Sequence, residues 1–216
     1  MPFRFPVPLF PIADAELAPR PAVEMAQAFI AAGTPLFELR AKRLSTGALV
    51  ELARDVQAVA AGASGQLIIN DRVDVAQLIG AAGVHLGQDD LPPAATRAQL
   101  GPEKLIGVST HNLAQVDAAV RDGVADYLAF GPIFPTRSKA QPDPVQGLDG
   151  LRAARARCPL PLVAIGGIGP ESVRDVLMAG ADAVAVIGAV ATADPEAATR
   201  RLLGEAVTAL RARRRT

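Results

Sequence analysis

The chain has 216 residues, of which half are hydrophobic and a fifth are charged, a composition typical of a globular protein. Its 22 lysines and arginines balance 22 aspartates and glutamates, so bulk charge gives no reason to expect nucleic acid or an anionic membrane as a partner. The single cysteine, Cys158, excludes an internal disulfide and fits a reducing compartment. No apolar run approaches the roughly 20 residues that a membrane-spanning helix needs. We therefore expect a soluble cytoplasmic enzyme.

Short apolar runs of strand type recur along the chain and alternate with segments of helical spacing. These runs are continuously apolar, as expected for parallel strands covered on both faces. Strands are predicted at Pro8–Ala13, Pro35–Leu39, Leu67–Asn70, Gly83–Leu86, Ile106–Ser109, Tyr127–Phe130, Leu162–Ile165 and Ala183–Ile187. This α/β pattern predicts a single, compact (β/α)8 TIM barrel domain over residues 1–216. An open doubly wound sheet is the alternative, but residues 12–15 lack the glycine-rich turn that it needs after its first strand.

Carboxylates follow two neighbouring predicted strands. Asn70 and Asp71 end the third strand, and Asp89 and Asp90 follow the fourth. In a barrel these positions face one mouth, where chemistry takes place. Two hard oxygen ligands there favour Mg2+ and, with it, a phosphorylated substrate. Helix capping is the alternative interpretation, and we expect at least one of these side chains to cap the helix that follows it.

The second strand ends in an alternating polar pattern. Glu38, Arg40 and Lys42 are separated by single residues, so the two-residue period of a strand places them on one face. Two cations near the mouth form a plausible anion-binding fork, because arginine can hold a phosphate through two hydrogen bonds. A surface salt-bridge ladder is the alternative.

Later strand ends suggest further contacts for anions. A long proline-framed loop after the sixth strand contains Thr136, Ser138 and Lys139, a set of hydroxyls and an amine suited to gripping phosphate. Gly167 and Gly188 follow the seventh and eighth strands, where backbone amides usually form the phosphate site of such barrels. We therefore expect two separate anion sites that accommodate two phosphorylated molecules.

The two histidines carry no role in this interpretation. His85 lies inside the fourth strand and is expected to be a satisfied core residue. His111 follows the fifth strand as a loop residue, beside Asn112, which is expected to cap the next helix.

Several stretches, taken together, resemble thiamine-phosphate synthases over nearly the whole chain. They are INDRVDVAQLIGAAGVHLGQDDLP, IGVSTHN, ADYLAFGPIFPTRSK, PVQGLDGL, AIGGIGPESV and AGADAVAVIGAV. The resemblance implies a (β/α)8 transferase of thiamine biosynthesis that joins hydroxymethylpyrimidine diphosphate to hydroxyethylthiazole phosphate and releases diphosphate. It also implies dissociative chemistry: diphosphate leaves first, and the thiazole nitrogen captures the pyrimidine carbocation. Such a step needs neutralisation of the leaving group rather than a strong base.

The same resemblance implies residue roles. Asp71 and Asp90 hold Mg2+ against the diphosphate, which Arg40, Lys42 and Lys139 grip. Asn70 and Ser109 contact the pyrimidine substrate. The thiazole phosphate is bound by Thr136, Ser138, Gly167, Ile187 and Gly188. Arg40, Lys42, Ser109 and Lys139 are the expected catalytic residues.

Three positions depart from the family pattern. Glu38 is an expected substrate-binding residue that stands where the family usually has glutamine. Its carboxylate can still accept a hydrogen bond from the pyrimidine amino group, but it adds negative charge beside a diphosphate site and leaves a changed substrate preference open. Ser138 replaces a threonine and retains the hydroxyl. Gly188 replaces a serine, so a side-chain donor is lost while the backbone amide remains.

Other functions remain as alternatives. A thiazole tautomerase of the same superfamily is disfavoured, because that branch has a catalytic histidine where this chain has Gly131-Pro132. A class I aldolase would need a lysine in the sixth strand, and Tyr127–Phe130 has none. A non-enzymatic binding protein could use the arginine-rich tail of Arg211, Arg213, Arg214 and Arg215, which is expected to be solvated. The sequence leaves oligomeric state open, a homo-oligomer included.

Overall fold

Strands and helices alternate along the chain in the computed structural model, which describes residues 2–136, 138 and 143–213. The strands are β1 (Leu9–Asp14), β2 (Leu36–Arg40), β3 (Gln66–Asn70), β4 (Gly83–Leu86), β5 (Leu105–Thr110), β6 (Tyr127–Phe130), β7 (Leu162–Ile165) and β8 (Ala183–Val186). The helices are α1 (Ala22–Ala31), α2 (Thr46–Gly62), α3 (Val73–Ile79), α4 (Pro93–Leu100), α5 (Leu113–Asp122), α6 (Gly147–Arg157), α7 (Val173–Met178) and α8 (Pro195–Arg213). Every predicted strand is present, within one residue at each end.

The eight strands form a closed parallel barrel in sequence order. Closure is made by β1, which pairs with β2 on one side and with β8 on the other, Phe10 lying opposite Ala185. The predicted (β/α)8 barrel is therefore confirmed, and the doubly wound alternative is wrong because an open sheet would leave β1 and β8 unpaired.

The strands are apolar on both faces because each face is buried in a different layer. Phe37 and Leu39 of β2 point outwards into the layer between barrel and helices, where they join Phe29 of α1. Leu36 points inwards with Ile68. Glu38 and Arg40 continue this inward row towards the carboxyl end of β2, so strand alternation brings both polar side chains to the mouth.

The amino-terminal end of the barrel is closed by an aromatic plug, formed by Phe3 and Phe5 ahead of β1. Both rings pack against Tyr127 at the start of β6, with ring centroids 5.5 and 5.2 Å from it. Phe10 covers the same tyrosine from β1. The plug separates the interior from solvent at the end opposite the mouth.

Two aspartate clasps, Asp126 before β6 and Asp182 before β8, fasten the same amino-terminal end. The Asp126 carboxylate accepts hydrogen bonds from the Ile106 amide of β5 and from Arg97 of α4. In the same way, Asp182 accepts from the Leu162 amide of β7 and from Arg155 of α6. Each clasp thus joins two neighbouring strands and a helix through charge-assisted hydrogen bonds.

The arginine-rich end differs from the expected solvated tail. Arg211 and Arg213 lie in the last turn of α8, and Arg213 donates hydrogen bonds to the carbonyls of Leu177 and Ala181. Leu177 lies in α7 and Ala181 in the turn before β8, so Arg213 docks the end of α8 on both. Arg214 and Arg215 lie outside the described residues. In the described part of the chain, no helix combines the length and apolar character that crossing a bilayer requires.

Candidate active site

A cavity of about 930 Å³ opens at the carboxyl ends of the strands. The predicted site residues that line it are Glu38, Arg40, Lys42, Asn70, Asp71, Asp90, Ser109, Thr136, Ser138 and Ile187. Gly167 and Gly188 lie just outside the lining, next to its members Gly166 and Ile187. Lys139 lies outside the described residues. A cavity of this size is at the upper end of the range for small-molecule sites.

Asp71 and Asp90 converge on one side of the mouth. The backbone of Asp71 has a φ of 61°, an unusual value for a non-glycine residue, and its amide donates to the His85 carbonyl at 2.8 Å. Burial and a hydrogen bond with the Asp71 carboxyl both raise the pKa of Asp90. Two carboxyls that share a hydrogen bond form an acidic pair at which a cation would replace the shared proton.

The capping interpretation of these carboxylates is wrong. The N-cap positions of α3 and α4 are Arg72 and Pro92, and neither helix has a side-chain cap. Asp90 instead turns back and accepts the amide hydrogen of Gly87 at 2.7 Å, which fixes the carboxyl over the mouth. Asn112, by contrast, caps α5 as predicted, accepting from the Gln115 amide.

Both cations of β2 and its loop lie in the cavity wall and are paired with carboxylates. Arg40 forms a close ion pair with Asp14, a fully buried residue at the end of β1. Asp14 also accepts the amide hydrogens of Glu16 and Leu17, so its orientation is fixed. Lys42 reaches Asp71, with 3.1 Å between Nζ and Oδ2. The alternative of an ion-pair ladder is therefore present, inside the mouth rather than on the surface, and anion binding by Arg40 and Lys42 stays a prediction.

Glu38 is the most strongly perturbed acid of the site. Its side chain is only 2% exposed, and no hydrogen bond involves its carboxyl among the described residues. Burial, followed by the negative charge of Asp71, raises its pKa from 4.5 to about 8. Glu38 is therefore a neutral acid at pH 7, and the negative charge expected from the sequence is largely absent there.

The glycines after β7 allow the loop after β6 to pack against them. The Phe134 amide donates to the Gly166 carbonyl at 3.0 Å. A Cβ atom on Gly167, whose φ is 64°, would lie 2.5 Å from the Pro135 carbonyl oxygen. In the same loop, Thr136 accepts the amide hydrogen of Ser138 at 3.2 Å, which holds both hydroxyl residues at the rim.

Some of the polar residues at or beside the mouth were not predicted as site residues. Asp14, the partner of Arg40, stands in no recognisable motif. His85 lines the cavity and has hydrogen-bond partners on two strands that no local pattern indicates. His111 also lines the cavity, and its Nδ1 lies 2.8 Å from the Gly131 carbonyl. Contacts between distant strands depend on barrel register, which the sequence alone did not supply.

Comparison with known proteins places the chain in a family. The model of the thiamine monophosphate synthase family matches residues 9–190. The chain belongs to this family. It is similar to the thiamine-phosphate synthase of Moorella thermoacetica, with 44% identity over 89% of this chain and 91% of the relative. The corresponding protein of Chloroflexus aurantiacus is 48% identical over 82% of this chain and 81% of its own length.

A solved structure of the same family supports the assignment. The chain resembles the thiamine phosphate pyrophosphorylase of Pyrococcus furiosus with a TM-score of 0.85 and 33% identity, over 94% of this chain and 97% of the other. The family resemblance predicted from the sequence is thus confirmed by relatives in sequence and by a relative in structure.

Proposed function

We propose that this protein is a thiamine-phosphate synthase, a transferase of thiamine biosynthesis that acts in the cytoplasm. It joins hydroxymethylpyrimidine diphosphate to hydroxyethylthiazole phosphate and releases diphosphate. The observation that carries the proposal is the meeting of Asp71, Asp90 and Lys42 at the mouth of a barrel whose relatives bear this name. These groups suit a reaction in which negative charge develops on a leaving diphosphate.

The residues present fit a magnesium ion that is shared with the substrate. Within the described part of the chain, no group of three or more acidic, histidine or cysteine side chains is arranged around a metal. Two carboxylates alone make a weak site, but Mg2+ is commonly held by one or two carboxylates together with substrate phosphates and water. Asp71 and Asp90 would hold the ion. When bound, Mg2+ supplies neutralisation of charge on the diphosphate.

The remaining side chains bind and orient the two substrates. Lys42, together with Arg40 and Lys139, binds the diphosphate. Asn70 and Ser109 orient the pyrimidine portion. The thiazole phosphate is bound at Thr136, Ser138, Gly167, Ile187 and Gly188. In the reaction the carbon–oxygen bond to diphosphate breaks, and a bond from the same carbon to the thiazole nitrogen forms.

An assay of the purified protein with both substrates and Mg2+ tests the proposal. Diphosphate and thiamine phosphate should appear in equal amounts, and neither should form when a chelator removes the metal. Incubation with the thiazole carboxylate phosphate alone is the control for tautomerase activity. If diphosphate stays absent while that control compound isomerises, the protein is an isomerase and the proposal is wrong.

A further inference from the structure

A chain of hydrogen bonds runs from the closed interior of the barrel to the mouth. The Tyr127 hydroxyl of β6 lies 3.1 Å from Nδ1 of His85 in β4. Nε2 of the same imidazole lies 2.9 Å from the Ser109 hydroxyl of β5. Tyr127 is fully buried, whereas His85 and Ser109 line the cavity. The three side chains therefore connect the core to the position at which the pyrimidine substrate is proposed to bind.

The barrel backbone makes specific room for this chain. Gly107 of β5 lies between the two rings, and a Cβ atom there would lie 2.2 Å from Cζ of Tyr127 and 2.5 Å from Nδ1 of His85. Such distances are far shorter than a carbon contact allows. A residue without a side chain is thus required at this point for the tyrosine and histidine to meet.

The surroundings of Tyr127 fix the direction of the hydrogen bonds. Burial raises the pKa of its hydroxyl well above the ordinary value, so the phenol keeps its proton. Its only hydrogen bond within the described residues is with His85, because aromatic rings of the plug and Phe10 cover it elsewhere. A buried donor needs an acceptor, so the phenol donates to Nδ1. With Nδ1 accepting from the phenol, the imidazole carries its proton on Nε2 and donates it to the Ser109 oxygen.

We infer that Tyr127 and His85 are positioning residues that present the Ser109 hydroxyl as a hydrogen-bond donor to the pyrimidine diphosphate. Because the Ser109 oxygen already accepts from His85, its own proton is available to an acceptor atom of the substrate. The inference rests on the proposed function and adds two residues, Tyr127 and His85, to those assigned from the family resemblance. It also assigns a chemical class to the substrate atom opposite Ser109, namely an acceptor.

The tautomer of His85 can be measured without any substrate. Correlation spectra of nitrogen-15-labelled imidazoles distinguish a protonated Nε2 from a protonated Nδ1. The chain has only two histidines, so the signals that the His85→Gln variant lacks belong to His85. We expect the proton on Nε2. A proton on Nδ1 would overturn the inference, whether or not the protein is a thiamine-phosphate synthase.

A double-mutant cycle tests whether His85 acts through Ser109. We expect Ser109→Ala and His85→Leu each to lower kcat/KM for the pyrimidine diphosphate about 10-fold, the value of one neutral hydrogen bond at its upper end. In the double variant, kcat/KM should also be about 10-fold below that of the wild type, rather than the roughly 100-fold expected for independent effects. KM for the thiazole phosphate should not change. A multiplicative loss would show that His85 acts separately from the serine.

Two more variants keep the test valid if His85→Leu fails to fold. Tyr127→Phe retains the ring and should lower kcat/KM about 3-fold, an effect that disappears in the Ser109→Ala background. His85→Gln keeps a donor near the Nε2 position and should retain most of the activity. Equal losses for the Gln and Leu variants would contradict the inference. A wild-type protein that releases no diphosphate would instead contradict the proposed function.

Discussion

Four of the carboxyl groups at or beside the mouth interact with one another or with the cations there. Asp14 is neutralised by Arg40, and Asp71 by Lys42. Asp90 shares a hydrogen bond with Asp71, and Glu38 is held neutral by burial. The Asp71–Asp90 pair is the place in the mouth at which two carboxyl groups meet, and a divalent cation would bind there most favourably.

The first residue-scale prediction concerns this pair. Asp71→Asn should lower the rate of diphosphate release on the order of 100-fold, because a charged ligand of the metal is lost where leaving-group charge develops. Raising the Mg2+ concentration should recover part of the rate. The matched control is Asp89→Asn, which removes an exposed carboxylate adjacent to Asp90 and should leave the rate near that of the wild type. Equal losses in the two variants would contradict a specific metal role.

The second residue-scale prediction concerns Glu38. Folding raises its pKa from 4.5 to about 8, so between these values the folded protein holds a proton that the unfolded chain releases. The free energy of unfolding should therefore fall with rising pH in this window, by about 1.4 kcal/mol per pH unit from this group. Glu38→Gln should remove that slope. Urea unfolding of both proteins at about pH 5, 6 and 7, without metal, measures it; parallel pH profiles would refute the prediction.

The limits of sequence reasoning are visible in the same residues. The positions of Asp71 and Asp90 could be predicted because each follows an apolar strand, and barrel geometry fixes where strand ends point. The neutral state of Glu38 could not be predicted, because it depends on the burial of this β2 side chain beside Asp71, which follows β3. The Asp14–Arg40 ion pair was missed for the same reason, since it joins two strands in a register that only the closed barrel defines.

At the scale of elements, the strand bounds followed from sequence to within a residue, whereas the contacts of the loops did not. Continuous apolar runs between helical segments are a strong local signal, so the barrel could be predicted. The loop after β6 depends instead on the backbone of β7, to which it is hydrogen-bonded through Gly166. The glycines after β7 were predicted for phosphate binding, and the structure gives them a packing role as well.

The element-scale prediction separates Gly167 from Gly188. Gly167→Ala should lower the free energy of unfolding by about 2 to 3 kcal/mol, because its φ of 64° and the nearby Pro135 carbonyl both oppose a side chain. Gly188→Ala is the matched control, since a Cβ atom there meets nothing within 4 Å. Urea denaturation measures both. Similar free energies of unfolding for the two variants would show that the loop after β6 accommodates a side chain at Gly167 without loss of stability.

At the scale of the whole molecule, the two ends of the barrel have separate tasks. The carboxyl ends of the strands carry the polar side chains of the mouth, and the opposite end carries the aromatic plug and the aspartate clasps. This division agrees with the general organisation of such barrels, in which loops at one end hold the chemistry. The predicted single-domain organisation over residues 1–216 remains a proposal.

The molecule-scale prediction concerns the plug. Phe5→Ala should lower the free energy of unfolding by about 2 kcal/mol, since a half-buried ring leaves the aromatic cluster around Tyr127. Arg4→Ala, which alters the exposed neighbour of Phe5, should have little effect. Chemical denaturation of both variants measures the difference. If Phe5→Ala has the same free energy of unfolding as the wild type, the plug contributes nothing to stability.

The aspartate clasps have a practical consequence for directed evolution. Asp126 and Asp182, with their arginine partners, join neighbouring strands at the amino-terminal end of the barrel. This end lies opposite the side chains proposed to touch a substrate. Randomised libraries confined to the residues of the mouth would leave the aspartate clasps unchanged. New specificities could then be sought among residues such as Glu38 and Ser138 without sacrificing the scaffold that carries them.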